Sequence, residues 1–303
     1  MVDHACSMEV WLQDEKVDST APSPSMPLSP QEAAALEATA MRLAQAAGSR
    51  ITAAVNGELD VHFKATRPEW AANSNPVSDI DQSVERDLRA EIATAYPQHA
   101  IIGEEQAPSG PAGAPISWVI DPVDGTCNFI NGVPLYACSI GVLYEGWPVA
   151  GAIWCAATHA VGPGVYHAHA GGALCFNGRP TARRKPGNWR GLAAEHGRTS
   201  RYAANWDIRV LGTSAVEFAW VACGLLRLAH MPRPGLWDAA AGLALLNAAG
   251  CRALTWEHGR WAPLVRFTPP GGKNAGQLAA WKQPVLIGAA EDVAAALQVS
   301  RPP

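Results

Sequence analysis

The sequence predicts a mixed α and β protein, an α+β half with antiparallel strands followed by an α/β half. Three observations carry this. Residues 137–155 read as a hairpin: an apolar run from Ala137 to Tyr144, a Glu145-Gly146 turn, and a second run from Trp147 to Cys155. Two stretches with helical periodicity precede the hairpin. Beyond residue 190, short apolar strands alternate with alanine-rich helical segments, as in α/β units.

Residues 1–28 are rich in Pro, Ser and mixed charge and read as a poorly ordered tail. The fold begins at Ser29-Pro30-Gln31-Glu32, a capping box with proline at the first helical position, and Gly48 is the expected stop of that helix. Val61–Lys64 reads as a strand entering a polar loop, in which Asn73 to Asn75 form turns. Asp79-Ile80-Asp81 begins a second helix through Val84, Leu88 and Ile92, ended by Pro97. Ile101-Ile102 and Trp118–Ile120 read as buried strands, and Val165–His169 with Ala173–Phe176 as another hairpin. Leu192–Ala194 and Val210–Leu211 read as strands, 214–229 and 238–249 as helices, and 252–255 and 285–288 as strands. The expected division is an α+β subdomain over 29–185 that carries the site and an α/β subdomain over 186–303 that closes it.

Composition excludes several classes. The chain is 48% hydrophobic and 17% charged, with a net charge of -4, which gives no support to nucleic-acid binding. Seven cysteines without a Cys-x-x-Cys pair read as small apolar residues of a reducing compartment, Cys127, Cys138, Cys155, Cys223 and Cys251 among them. No apolar stretch is long enough to span a membrane, and the acidic N-terminus does not read as a secretory signal. The expectation is a cytoplasmic protein. Gly271-Gly272-Lys273 lacks the flanking residues of a phosphate loop. His167 and His169 alternate on one strand face and, without a third ligand nearby in sequence, read as solvent-facing.

The most informative stretch is Trp118-Val-Ile-Asp121-Pro-Val-Asp124-Gly-Thr126. An apolar strand that ends in two aspartates points to a cation between them. Glu104-Glu105 follows another apolar run, and Asp238 opens an alanine-rich helix. Hard oxygen ligands gathered from separate elements suit Mg²⁺, which shares its shell with water and phosphate.

Glu104-Glu105, Asp121-Pro-Val-Asp124-Gly-Thr126-Cys-Asn-Phe129 and Trp237-Asp238-Ala-Ala-Ala-Gly242, in that order, resemble the inositol monophosphatase family of Mg²⁺-dependent, lithium-sensitive phosphatases. Lys64, eleven residues before Asn75, and Asn75-Pro-Val-Ser78-Asp-Ile-Asp81 resemble the family's lysine loop and its Asp-x-Val-Thr-x-x-Asp block. The likeness covers about residues 30 to 295 and implies a layered α-β-α-β-α sandwich of the inositol monophosphatase and fructose-1,6-bisphosphatase type.

The resemblance implies two or three Mg²⁺ ions. Glu104, Asp121 and the Val123 carbonyl would hold the first, and Asp121, Asp124 and Asp238 the second. A weaker third would sit near Glu104. Glu105 would hydrogen-bond a metal-bound water, and Thr126 would orient the attacking water. The Gly125 and Thr126 amides would face the phosphate, and Ser214, after Gly212-Thr213, would contact the substrate through its main chain. Asn75 stands where the family is read to place the aspartate that pairs with the threonine, and Cys127 replaces a second threonine. Met231, seven residues before Asp238, stands where inositol-selective members carry a glutamate, so His230 or Arg233 would favour a more anionic substrate.

The function implied is Mg²⁺-dependent hydrolysis of a small, inositol monophosphate-like ester by activated water. Histidinol phosphate, a sugar phosphate and 3′-phosphoadenosine 5′-phosphate are the alternative substrates, and a non-catalytic regulatory protein on the same scaffold is the alternative role. The implied partner is a small phosphorylated substrate, with neither nucleic acid nor membrane, in a homodimer.

Overall fold

Ser29 starts the first helix as its sequence requires. The Glu32 amide donates to the Ser29 hydroxyl at 3.2 Å, and the Ser29 amide donates to the Glu32 carboxylate at 2.7 Å. The computed structural model describes residues 28–55, 61–63, 76–196, 202–268 and 275–299. The expected tail falls outside these residues except for Leu28, and so do Lys64, Asn75 and Gly271-Gly272-Lys273.

In chain order the elements begin with α1 (Pro30–Ala54), β1 (Val61–Phe63), β2 (Pro76–Ser78), α2 (Asp79–Ala95), β3 (Ala100–Gly103), β4 (Ile116–Asp124) and α3 (Thr126–Ile130). Next come β5 (Ala137–Tyr144), β6 (Trp147–Cys155), β7 (Gly164–His169), β8 (Cys175–Phe176), β9 (Arg179–Pro180), β10 (Leu192–Glu195) and β11 (Asp207–Arg209). The last are α4 (Ser214–Cys223), β12 (Leu228–Met231), α5 (Leu236–Ala248), β13 (Arg252–Glu257), β14 (Arg260–Pro263), α6 (Ala275–Leu278), β15 (Val285–Gly288) and α7 (Ala290–Val299).

A seven-stranded sheet has the order β3-β4-β5-β6-β7-β8-β9, parallel at β3–β4 and antiparallel elsewhere. A six-stranded sheet runs β11-β10-β12-β15-β13-β14; β10 is parallel to both neighbours and the other pairs are antiparallel. The second half is therefore less purely α/β than its alternating pattern implied. Helices α1 and α2 cover one face of the larger sheet, through Leu43, Ile51 and Ile92 against Trp118, Ile120 and Ile140. Helices α4 and α5 lie between the sheets, where Phe218 and Leu243 join Val119, Ile153, Ala229 and Ile287. Helix α7 packs Val293 and Ala296 on the smaller sheet's outer side. The layers are α-β-α-β-α. No helix among the described residues is long and apolar enough to cross a membrane.

Several local expectations differ from the structure. Helix α1 runs through Gly48, because that glycine is there for close packing: a Cβ would lie 2.2 Å from the Trp154 ring. The apolar stretch 214–229 is not one helix. It stops at Cys223, where Gly224 adopts φ 82° as a left-handed cap, and the chain then re-enters the sheet as β12. The strand expected at Val210–Leu211 lies at Asp207–Arg209, and only Cys175–Phe176 of the expected 173–176 strand is paired. Cys127 is exposed rather than packed, since it sits on the short surface helix α3.

Small residues set the spacing between α5 and the larger sheet. Gly141 and Gly151 face each other on β5 and β6. A Cβ on Gly141 would lie 2.7 Å from the Ala240 Cβ, and one on Gly151 would lie 2.6 Å from the Ala241 carbonyl oxygen. Gly151→Ala should therefore lower the unfolding free energy by about 1–3 kcal/mol through overpacking. Gly162→Ala, where nothing lies within 4 Å of the added Cβ, should change it by no more than about 0.5 kcal/mol. Urea denaturation of both variants checks the contrast.

Candidate active site

Asp121 and Asp124 are three residues apart, so in a regular strand their side chains would point to opposite faces. A register break reverses this. Asp121 pairs with Ser139 and Asp124 with Ala137, with a shift between them across Pro122-Val123. Packing shows the reversal: Val119 lies in the cluster under α5, whereas Val123 lies in the cluster under α1 and α2. Proline, which cannot donate to the ladder, stands where the pairing fails. Asp121 and Asp124 thereby come to one side, and each has a carboxylate oxygen within 4.8 Å of one on Asp238.

Helix starts hold two of these carboxylates. Asp124 accepts the Ala215 amide at 2.7 Å and the Thr213 hydroxyl at the start of α4. Asp238 reaches back to the Gly235 amide at 2.6 Å. The Ser139 hydroxyl, level with Asp121, donates to the Trp237 carbonyl at 3.1 Å and fixes the start of α5 beside β4. Gly125 has φ 85°, and a Cβ there would lie 3.0 Å from both the Leu135 oxygen and the Thr213 Cβ, so only glycine fits the turn into α3.

Glu104 follows β3, its amide bonded to the Ile120 carbonyl at 3.2 Å. Fully buried Glu85 of α2 accepts the Glu105 amide at 2.8 Å and the Gln106 amide at 3.0 Å, and is held in turn by Arg89 Nε at 2.8 Å. Glu105 is half-buried on this turn.

The Thr126 hydroxyl lies 3.0 Å from Asp81 Oδ1 and 2.9 Å from the Val123 carbonyl. Threonine's carboxylate partner in the structure is thus Asp81, the last residue of the Asn75–Asp81 block. Asn75, to which that partnership was attributed, lies outside the described residues. Asp81 was read as part of a helix start and is that too, accepting the Ser78 amide at 2.9 Å. Its complete burial was the missed signal. Asp81, Glu85 and Arg89 share the inward stripe of α2 with Val84, Leu88 and Ile92, and charged residues at core spacing mark a polar task.

Crowding shifts the carboxyls upward. Burial, then the charges of Glu104, Asp124, Asp238 and Asp81, push Asp121 well above its ordinary value. Burial outweighs the Thr213 and Ala215 hydrogen bonds and lifts Asp124 to about 6. Burial with Asp124 and Glu104 lifts Asp238 to about 8. Asp81 is raised by burial against the Ser78 and Thr126 hydrogen bonds. Asp121 Oδ1 is buried without a hydrogen-bond partner. An orphaned oxygen among converging carboxylates fits a hard divalent cation.

Other expected residues take varied places. Ser214 begins α4, half-buried, and its main chain adds a hydrogen bond that favours ionised Asp124. Met231 is buried in the apolar core between the sheets. His230 is also buried, edge-on to Tyr202 and Trp261, with neither ring nitrogen hydrogen-bonded. It faces core aromatics instead of a substrate, while Arg233 is exposed. His196 is a residue that sequence reading missed. Its Nε2 lies 2.9 Å from fully buried Glu217, and burial, which lowers its pKa, is outweighed by Glu217, Asp124 and Asp238.

Residues 32–287 match the model of the inositol monophosphatase family. The chain belongs to the inositol monophosphatase family. It is 30% identical to the Nus factor SuhB of Xylella fastidiosa over 226 residues, 69% of this chain and 78% of that protein. It is 30% identical to the inositol-1-monophosphatase ImpA of Mycolicibacterium smegmatis over 247 residues, 74% and 82% of the two chains. Among solved structures, the extragenic suppressor protein suhB of Bartonella henselae superposes with a TM-score of 0.68 at 22% identity, covering 88% of this chain and 99% of that one. This inositol monophosphatase fold thus encloses a buried acidic centre.

The raised carboxyls set a pH dependence. A carboxyl whose folded pKa exceeds the ordinary 3.8 holds a proton that the unfolded chain has released, so its contribution to stability is complete at low pH. That contribution is lost as pH rises through about 6 for Asp124 and about 8 for Asp238. Asp81, Glu217 and His196 shift in the same direction. In chelator, Tm should fall between about pH 5 and about pH 8.5. Saturating divalent cation should raise Tm most at the alkaline end. A pH series of thermal melts with and without Mg²⁺ checks both.

Proposed function

We propose that this chain hydrolyses a small phosphate monoester with Mg²⁺ held by Glu104, Asp121, Asp124, Asp238 and the Val123 carbonyl. Family membership supports phosphatase action on a phosphate monoester. The observation that carries the finer reading is the unpartnered Asp121 Oδ1 at the meeting point of three carboxylates, with the Thr126–Asp81 pair beside it. Mg²⁺ bound there would neutralise the phosphate oxygens and acidify a water.

The chain's own groups supply orientation and proton transfer. Thr126 donates its hydroxyl proton towards Asp81, which leaves its oxygen lone pairs to accept from an incoming water. When water attacks phosphorus, its proton passes to Thr126 Oγ1 as the threonine proton passes to Asp81, whose raised pKa suits it to accept. The Gly125 turn permits close approach of phosphate to the main chain, and Ser214 would meet the substrate at the start of α4. Glu105, on the turn anchored by Glu85, would hydrogen-bond coordinated water. Asn75 belongs to this proposal only as the start of the block that ends at Asp81.

An inositol monophosphate-like ester is the reading closest to the name of the Mycolicibacterium relative. Buried Met231 supplies no carboxylate for a substrate hydroxyl. Histidinol phosphate, sugar phosphates and 3′-phosphoadenosine 5′-phosphate are therefore tested beside it, by Mg²⁺-dependent phosphate release from each. A second reading, a regulatory role on this scaffold, is favoured by the name of the Xylella relative, a Nus factor. It predicts no turnover on any ester, with partner capture unchanged by Asp124→Asn.

Asp124→Asn should abolish turnover in a folded protein. Asp81→Asn should lower kcat about 10²–10⁴-fold while Mg²⁺ affinity, measured calorimetrically, stays the same. Turnover that persists in Asp124→Asn, or in the presence of excess chelator, would overturn the metal assignment.

A further inference from the structure

A cleft of about 500 Å³ opens at the end of α4 remote from the acidic centre. Its walls come from the segment after β9, the entry to β10, the turns before β11 and after α4, and the first turn of α7. Asp124 is held at the first turn of α4, whereas Gly224 and Leu225, which line the cleft, follow its last turn. About 15 Å of helix therefore separates the two places. Four cations line the cleft, Arg184, Lys185, Arg190 and Arg227, against one carboxylate, Asp292. The volume is that of a small-molecule site.

Two of these cations are already paired. Arg227 donates from Nε and Nη2 to Asp292 at 2.8 and 2.9 Å. Arg190 Nε lies 3.1 Å from Asp207, and its Nη2 donates to the Trp206 carbonyl at 3.1 Å. Arg184 and Lys185 have no carboxylate partner among the described residues. The main chain fixes where they stand. The Arg184 amide donates to the Cys223 carbonyl at 2.8 Å, and a Cβ on Gly224 would lie 2.6 Å from the Arg184 carbonyl oxygen. Arg183 serves the end of α4, its Nε donating to the Val221 carbonyl at 3.3 Å. The Arg184 side chain instead lies over the Trp189 ring, its guanidinium carbon 5.7 Å from the centroid. Trp189 is 63% exposed and joins none of the apolar clusters. Gly187 packs against its ring, where a Cβ would lie 2.1 Å away. A cation held over an aromatic face keeps its in-plane N–H donors for another partner.

We propose that this cleft binds the phosphate group of a small ligand, with Arg184 and Lys185 as its contacts and the Trp189 ring holding Arg184 in place. Arginine's planar fork matches two phosphate oxygens, and lysine adds a point charge. A phosphate monoester carries a charge of about -2 near neutral pH, which the two unpaired cations balance. Arg190 and Arg227, turned to carboxylates of their own, shape the walls. Inorganic phosphate and a phosphate ester present the same group to these residues. The acidic centre meets anions only through a metal ion, whereas the cleft needs none. The site is therefore independent of the phosphatase reading.

The test uses the full chain, freed of divalent metal on a chelating resin so that the acidic centre repels anions. Titration calorimetry with inorganic phosphate and with glucose 6-phosphate should show one saturable site per chain, and the tighter of the two names the source of the phosphate group. Arg184→Gln and Lys185→Gln should each weaken binding about tenfold or more. Trp189→Leu removes no donor, yet should weaken it about two- to fivefold. Arg179→Gln, an exposed cation outside the cleft, and Asp124→Asn should leave the affinity unchanged, with the same circular dichroism in every variant. No saturable binding by the unsubstituted chain would overturn the proposal. Equal weakening by Arg179→Gln would reduce the effect to diffuse charge, and loss of binding in Asp124→Asn would move the anion to the acidic centre; either result overturns it too.

Discussion

Mutual repulsion among buried carboxylates is the constraint around which this molecule is built. Asp121, Asp124 and Asp238 bring oxygens within 4.8 Å of one another in a largely dehydrated place. Their pKa shifts record the cost: each is driven upward by burial and by its neighbours' charge. Nothing in the strand itself favours such a meeting. The surrounding fold imposes it by breaking the β4 register and by aiming the starts of α4 and α5 at the break. The repulsion is offset by apolar contacts in two cores, one on each face of the larger sheet.

Close approach carries much of that imposition. An alanine-rich helix laid against a glycine pair brings the α5 backbone nearly into contact with the sheet, and the Ser139–Trp237 bond sets its axial position. Larger residues would bury more apolar area but would withdraw Asp238 from Asp121. On the other side, Glu85 grips the acidic turn through its amides, and a Cβ at Gly103 would lie 2.3 Å from that carboxylate. A buried ion pair of this kind is weak as a source of stability. Its use here is to fix where Glu104 and Glu105 stand.

Much of this was legible in the sequence, for definable reasons. The Ser29 capping box and the 137–155 hairpin depend on local chemistry, and each element stands where that chemistry put it. The exceptions share one cause: the deciding contact is remote in sequence. Gly48 resembles a helix stop until Trp154 packs on it. The stretch 214–229 resembles one helix until the smaller sheet claims 228–231. Asp81 resembles a simple cap until Thr126, 45 residues on, points at it. His167 and His169 resemble surface residues until Glu37 arrives from α1.

On the α5 face of the larger sheet the donors are carboxylate oxygens around an orphaned Asp121 atom. First-row divalent metals bind most sites more tightly than Mg²⁺ does, so selectivity must come from ligand type and geometry rather than from affinity alone. An all-oxygen centre gives Zn²⁺ no soft ligand to exploit and leaves room for the waters that Mg²⁺ is reluctant to shed.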